Sequence, residues 1–230
     1  TSELVRKIEA EMPKADADAF YAKEIDFDLS TVTPIVAGPN EVKTIVSTTE
    51  IEQRNVRIDK AFLMSCVNGR LQDFEVAAKV IKGKKVAPHV KFYVAPASSE
   101  IEEQAKKLGY WQTLLDAGAI ALPAGCGACI GLGEGCLADN EVGISATNRN
   151  FDGRMGSRKS QVYLASPAVV AASAVAGKIA GPSSCGTGVS PVSSSVTGKM
   201  PVLQGTIRIN ERKAAVAKVE IMAGFPREMT

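Results

Sequence analysis

Two hydrophobic patterns alternate along the middle of the chain. The run 60–65, Lys-Ala-Phe-Leu-Met-Ser, is almost continuously apolar, as expected of a strand covered on both faces. Residues 71–81 instead place apolar side chains at three- and four-residue spacing, which predicts an amphipathic helix that Gly83 can end. The same two patterns predict strands at 90–95, 119–123 and 142–146 and helices at 99–108, at 111–117 and from Ser166-Pro167 onward.

Strands separated by helices of about ten residues indicate an α/β fold with a largely parallel sheet. We therefore predict a layered αβα domain over residues 56–180. Residues 1–55 are predicted to be an arm or linker from a preceding domain, and residues 181–230 a Gly/Ser-rich linker with a C-terminal extension. The chain starts at Thr1 and shows no targeting segment, so we expect a fragment of a longer polypeptide.

The amino-acid composition excludes several classes of protein. With 230 residues, of which 45% are hydrophobic, the chain can bury a sizeable core. Its formal charge of +2, without a long basic run, gives no support for nucleic-acid binding, and its apolar stretches are too short to span a membrane. Five cysteines, two of them in a C-x-x-C pair, favour reduced thiols in an intracellular, soluble protein.

Three of the cysteines follow predicted strands. Cys66 comes directly after the strand at 60–65, and Cys126 and Cys129 lie just beyond the strand at 119–123. Because ligand sites in open α/β sheets form at the carboxyl ends of strands, these thiols should share one edge. Three thiolates on a four-iron cubane would leave one iron free to act as a Lewis acid. Cys136 and Cys185 are then expected to be dispensable.

Other chemistry also suits the cysteine pair. C-x-x-C spacing serves zinc knuckles and redox disulfides as well. A zinc site normally needs four Cys or His ligands, and the sequence has no second pair that matches. The single histidine, His89, lies in a Lys-rich loop and is expected at the surface.

Residues 148–154, Asn-Arg-Asn-Phe-Asp-Gly-Arg, form a second candidate group after the strand at 142–146. Guanidinium groups from Arg149 and Arg154 would bind a dicarboxylate or tricarboxylate through paired, charge-assisted hydrogen bonds. The alternative is that both arginines are solvated on a surface loop.

The chain resembles the aconitase superfamily over about residues 25 to 180. The resemblance rests on 65–70 (Ser-Cys-Val-Asn-Gly-Arg), 125–131 (Gly-Cys-Gly-Ala-Cys-Ile-Gly) and 146–154 (Ala-Thr-Asn-Arg-Asn-Phe-Asp-Gly-Arg), in the order of that superfamily. The continuation Leu-Gln-Asp after Arg70 is more similar to the homoaconitase and isopropylmalate isomerase subgroup, and to the fungal type in particular. Val67 is a departure, since many members have Thr there.

The resemblance implies a role for six residues: Cys66, Cys126 and Cys129 as [4Fe-4S] ligands, Asn148 in contact with the cluster region, and Arg149 and Arg154 on substrate carboxylates. It implies a mitochondrial-matrix hydro-lyase of lysine biosynthesis that interconverts homocitrate, cis-homoaconitate and homoisocitrate, with isopropylmalate isomerase or a non-catalytic metal- or RNA-binding module as alternatives. The chain resembles the third domain, so its partners would be a small tricarboxylate or hydroxy-acid substrate and the remaining domains of the parent enzyme. Those domains supply the Asp–His pair, the serine base and a further arginine of the family, so the isolated fragment is expected to be inactive.

Overall fold

A computed structural model of the chain describes residues 2–11, 18, 20, 23–27, 32–182 and 205–209. The chain forms two compact units, one from Thr1–Val32 with Gly198–Thr230 and the other from Thr33–Thr197. The first unit contains helix α1 (Ser2–Glu11) and strand β1 (Lys23–Phe27), which pairs antiparallel with the strand Gly205–Ile209. Cys185 lies outside the described residues.

The second unit alternates strands and helices. Its elements in chain order are β2 (Ile35–Ala37), β3 (Ile45–Ser47), α2 (Thr48–Gln53), β4 (Lys60–Leu63), α3 (Ser65–Asn68), α4 (Leu71–Ile81), β5 (Lys91–Val94), α5 (Ser99–Lys107), α6 (Tyr110–Ala117), β6 (Ile120–Ala121), a 3-10 turn (Gly127–Ile130), β7 (Val142–Ser145), β8 (Gln161–Ala165) and α7 (Pro167–Ala176). The predicted strands and helices of the middle region are thus present, with small shifts at their ends.

The seven strands of this unit form one sheet in the order β3-β2-β8-β7-β4-β5-β6. Strands β8, β7, β4, β5 and β6 run parallel, whereas β2 and β3 add an antiparallel hairpin at the β8 edge. The predicted α/β fold with a largely parallel sheet is therefore confirmed. The domain boundaries at residues 55 and 180 stay a prediction; β2, β3 and α2, from the predicted arm, join this sheet and its core.

Alternate residues of β4 face two different cores. Ala61 and Leu63 are fully buried in a cluster that also takes residues from α2, α4, α5, α6 and α7. Phe62 and Met64 point to the other face, where they pack with Ala128, Cys129, Leu137 and Met155. The period of two along a strand explains this division. One face of the sheet is thus covered by helices, and the other by the loop that carries the C-x-x-C pair.

Local sequence explains several helix ends. Ser166 accepts a hydrogen bond from the Val169 N–H and Pro167 occupies the first position of α7, as predicted. Helix α5 is capped by Ser98, whose hydroxyl accepts a hydrogen bond from the Ile101 N–H. No helix within the described ranges has the length and apolar character needed to cross a membrane.

Candidate iron–sulfur site

The exits of parallel strands bring the predicted site residues to one edge of the sheet. Cys66 follows β4, Cys126 follows β6 and Arg149 follows β7. These three strands run in the same direction, so their carboxyl ends lie at the same edge. The topology thus gathers chain segments that are separated by up to about eighty positions, as the resemblance required.

A strained turn presents Cys66. Strand β4 ends in extended backbone at Met64, and the next residue, Ser65, has a φ of +101°, which non-glycine residues rarely adopt. The Ser65 hydroxyl accepts hydrogen bonds from the N–H groups of Val67 at 3.2 Å and Asn68 at 3.1 Å. These bonds fold the chain back into the single turn α3 directly after the strand. Cys66 is consequently exposed at the sheet edge.

Close packing at Gly69 completes this turn. Its N–H donates to the Ser65 carbonyl at 2.8 Å. A Cβ atom at this position would lie 2.6 Å from the same carbonyl oxygen and 2.9 Å from the Ala95 carbonyl oxygen. A side chain would therefore push the Cys66 turn away from the exit of β5.

The C-x-x-C pair lies on a 3-10 turn, Gly127–Ile130. The Cys129 N–H donates to the Cys126 carbonyl at 2.9 Å, and the Leu132 N–H donates to the Gly127 carbonyl at 3.1 Å. Gly127 has a φ of +43°, so the tight turn needs a residue without a side chain there. Cys126 is exposed, whereas Cys129 is only 5% exposed in the second core.

Electrostatics link Cys129 to the other predicted site residues. Burial raises the pKa of the Cys129 thiol, and a hydrogen bond and positive charge from Arg154 act against this rise. The negative charges of Cys126 and Cys66 act in the same direction as burial and raise this pKa further. Cys129 and Arg154 are thus adjacent although neither strand exit alone would predict it.

Arg154 has two close neighbours, and one of its polar atoms lacks a partner within the described part of the chain. Its guanidinium carbon lies 5.6 Å from the centre of the Phe151 ring. Its backbone carbonyl approaches Gly131, where a Cβ atom would lie only 3.1 Å away. Its Nε is buried and has no hydrogen-bond partner among the described residues. A buried donor without a partner next to a thiol suits a site that takes an anionic or sulfur-rich group.

The remaining predicted residues occupy less enclosed positions. Asn148 and Arg149 are exposed on the turn after β7. Cys136 is half-buried at the rim of the second core. His89 is exposed, as expected, and its Nε2 lies 3.1 Å from the Gly177 carbonyl. The convergence of Arg149 with Arg154 on one carboxylate ligand stays a prediction.

A cavity of about 510 Å³ opens beside Cys126. Its walls come mainly from the glycine-rich loop and from the exits of β4, β5 and β6, including Met64, Ala95, Leu122, Gly127 and Glu134. Such a volume is in the range of small-molecule sites. No three His, Cys, Asp or Glu side chains within the described ranges converge closely enough to hold a single metal ion.

A cubane cluster imposes a different geometric demand. It places each thiolate on a different iron, so the sulfurs need to surround a volume rather than meet at one point. Two exposed thiols, one buried thiol beside an unpaired arginine Nε, and a loop whose glycines have positive φ fit such a group.

Two structural connections in this region were absent from the sequence-based expectations. Buried Lys60 forms an ion pair with Glu141 at 2.6 Å, and Leu137 forms a parallel β-bridge with Gly156. A lysine at the start of an otherwise apolar run was the one signal that pointed to such a partner. The partner itself lies 81 positions away, which no local pattern reveals.

The fold and this edge of the sheet define an aconitase-type domain. Residues 2–177 match the model of the aconitase family (aconitate hydratase), and the chain therefore belongs to that family. It is 47% identical over 225 residues to the mitochondrial homoaconitase of Debaryomyces hansenii, an alignment that covers 98% of this chain and 33% of that protein. It is 60% identical over 168 residues to the mitochondrial homoaconitase of Candida albicans, covering 73% of this chain and 25% of that protein.

A third relative extends this pattern. The mitochondrial homoaconitase of Eremothecium gossypii is 51% identical over 223 residues, which are 94% of this chain and 32% of that protein. The chain thus spans about a third of the length of the curated relatives that it matches over most of its own length. The similarity to fungal homoaconitases predicted from the motifs is confirmed, and the relatives' names bear out the mitochondrial location.

Proposed function

We propose that this chain is the cluster-binding part of a [4Fe-4S]-dependent hydro-lyase of lysine biosynthesis. In this proposal the whole enzyme interconverts homocitrate, cis-homoaconitate and homoisocitrate in mitochondria. The relatives that span the chain are named homoaconitase, which favours this substrate over that of isopropylmalate isomerase. The chain contributes the cluster ligands and substrate arginines, and the remaining domains contribute the base.

One observation carries the proposal. Cys66 and Cys126 follow β4 and β6, two strands that run parallel to β5 and end at the same edge of the sheet, although Cys66 is separated from the C-x-x-C pair by sixty positions of chain. A redox disulfide would need only the C-x-x-C pair. The third thiol has a specific purpose if the ligand is a cubane cluster.

The residues of this chain would have distinct tasks in the reaction. Cys66, Cys126 and Cys129 would hold the cluster, which when bound supplies a Lewis acid that makes a hydroxyl a better leaving group. Arg154, held against the Phe151 ring, would orient one substrate carboxylate beside Cys129. Exposed Arg149 would bind a second carboxylate, and Asn148 would contact the cluster region. Two arginines fix the substrate against rotation, which is how positioning lowers a barrier.

The test is anaerobic reconstitution of the 230-residue chain with ferrous iron and sulfide. The native chain should bind about four irons and four sulfides, and the serine variant of Cys66, Cys126 or Cys129 should lose most of this cluster. Cys136→Ser is the matched control, because this half-buried cysteine is not a proposed ligand and should leave the stoichiometry unchanged. Full cluster binding by Cys66→Ser, or its loss in Cys136→Ser, would overturn the assignment of ligands.

The isolated chain should show no turnover of homocitrate even after reconstitution. Adding the remainder of the parent protein should restore it. Turnover by the chain alone would contradict the division of tasks between this domain and the others.

A further inference from the structure

A buried lysine lies at the opposite end of β4 from Cys66. Lys60 opens the strand, and its side chain is only 9% exposed. It shares the face of Phe62 and Met64, against which the cysteine loop packs. A buried ammonium group needs compensating partners, because removing a charge from water is strongly unfavourable.

Both partners of Lys60 come from the segment that follows the cysteine loop. Its Nζ donates to a Glu141 carboxylate oxygen at 2.6 Å and to the Cys136 carbonyl at 2.8 Å. The same carboxylate oxygen accepts from the Ala138 N–H at 2.7 Å. One ion pair therefore closes residues 136–141 into a turn and fastens that turn to the central strand.

The fastened segment touches both halves of the candidate site. Leu137 donates its N–H to the Met155 carbonyl and accepts from the Ser157 N–H, each at 2.8 Å. These bonds hold the backbone on either side of Gly156, beginning at Met155, the residue directly after Arg154. In the other direction, Leu137 shares the second core with Ala128 and Cys129. The position of Leu137 thus bears on Arg154 and Cys129 together.

We infer that Lys60 is a positioning residue for the site: its ion pair with Glu141 holds the 136–141 turn, and through that turn keeps Cys129 buried beside Arg154. The inference rests on the proposed function only in so far as Cys129 is a cluster ligand. The positioning itself is a property of the metal-free chain. It is therefore testable without any cluster.

The test measures thiol alkylation in the metal-free 230-residue chain by mass spectrometry. Two variants remove the ion pair, Lys60→Met and Glu141→Gln. Lys79→Met is the matched control, because Lys79 also forms a 2.6 Å pair with a glutamate, Glu75, but on an exposed helix surface. Hydrogen exchange in α4 reports opening of the whole domain independently of the loop.

We expect iodoacetamide to modify Cys129 roughly tenfold faster in Lys60→Met and Glu141→Gln, since each loses a charge-assisted hydrogen bond that opposes local opening. The rate at exposed Cys66 and the exchange of α4 should stay at native values. Lys79→Met should match the native chain at every thiol. Lys60→Arg, which keeps the charge, should restore much of the protection of Cys129.

Two outcomes would overturn the inference. One is native protection of Cys129 in a folded Lys60→Met or Glu141→Gln chain. The other is a rise in α4 exchange that parallels the rise in Cys129 alkylation, which would show a general loss of stability. If Lys60→Met does not fold, the alkylation rate of Cys129 in Glu141→Gln tests the inference, since this substitution keeps the size and shape of the side chain.

A second arm connects positioning to the cluster. After reconstitution, Lys60→Met should give an altered electron paramagnetic resonance spectrum of the reduced cluster, whereas Lys79→Met should reproduce the native spectrum. A native spectrum in Lys60→Met would contradict a positioning effect on the cluster. Failure of the native chain to bind any cluster would refute the proposed function. The alkylation experiment would still test whether Lys60 positions Cys129, because it uses the metal-free chain.

Discussion

Leu137 and Gly156 pair so closely that no side chain fits between them. They form a parallel β-bridge, and a Cβ atom built on Gly156 would lie 2.6 Å from the Leu137 nitrogen. Gly156 also has a φ of +136°, a region that is essentially restricted to glycine. This contact joins the loop after the cysteines to the loop that carries Arg154.

Replacing Gly156 by alanine should therefore destabilise the domain strongly. Strain at this φ and the clash with Leu137 together should lower the free energy of unfolding by at least about 3 kcal/mol. Urea denaturation measures this loss in the free energy of unfolding. Gly83→Ala is the control, because Gly83 also has a positive φ, +73°, but has nothing within 4 Å of a built Cβ; it should lose only about 1 kcal/mol. Equal losses would show that the close approach is unimportant.

Strain at Ser65 is measurable with two substitutions. Ser65→Ala removes the hydroxyl that accepts from Val67 and Asn68 and keeps the strained φ of +101°. Ser65→Gly loses the same bonds and relieves the strain. We expect Ser65→Ala to be less stable than Ser65→Gly by about 1 kcal/mol, after allowing for the extra freedom of glycine in the unfolded chain. The reverse order in urea denaturation would argue against strain at this turn.

The Lys60–Glu141 pair should make the domain sensitive to acid. Burial raises the pKa of the Glu141 carboxyl, but hydrogen bonds from Lys60 and the Ala138 N–H, with the Lys60 charge, outweigh it and lower the pKa. The pair therefore stabilises the fold fully above the ordinary glutamate pKa of about 4.3, and this contribution is lost as the pH falls through the lower, folded value.

Glu141→Gln should accordingly be less stable than the native chain at neutral pH and should converge with it in acid. Thermal unfolding at a series of pH values checks this. Glu75→Gln serves as the control, since its pair with Lys79 is exposed and of little consequence for stability. Parallel pH profiles for Glu141→Gln and the native chain would contradict a lowered pKa.

In the whole parent protein, Arg154→Ala or Arg149→Ala should weaken substrate binding. Losing one charge-assisted contact should remove roughly 1.5–3 kcal/mol of binding free energy. The Michaelis constant and a tricarboxylate inhibitor's dissociation constant measure this. Arg154→Lys should recover only part of the loss, because a lysine cannot form the paired hydrogen bonds of a guanidinium. Unchanged binding in both alanine variants would remove these arginines from the substrate site.

The sequence contained enough local information for the central sheet. Helix α4 was predicted at its observed limits, and the strands at 60–65 and 90–95 were placed within two residues of β4 and β5. These elements have strong periodicity and clear stops, so short-range patterns determine them. Strand β8 was missed although Val162-Tyr-Leu-Ala165 is an apolar run that follows Gly156-Ser157, because a run of four residues is too short for its periodicity to distinguish strand from helix.

The candidate site was predictable in part. Cys66 and Cys126 were predicted to lie at one edge of the sheet, because each follows a strand and the carboxyl ends of parallel strands meet at the same edge. The adjacency of Arg154 to Cys129 and the pairing of Lys60 with Glu141 depend instead on how long loops fold back over the sheet. Contacts between such distant positions are set by tertiary packing, which leaves no periodic trace in the sequence.

Strand β4 has Lys60 at its entrance and Cys66 just beyond its exit. The position of β4 therefore affects both thiol-bearing segments: Cys66 follows it directly, and the loop with Cys129 packs against its Phe62. A shift of β4 by a single residue in its sheet would exchange its two faces, turning Lys60 toward the helices and Ala61 toward the cysteine loop. The exposed stretch Leu132–Glu134 of the loop, in contrast, can change length without altering either face. Length variation within this family should accordingly be confined to the loop and excluded from the strand.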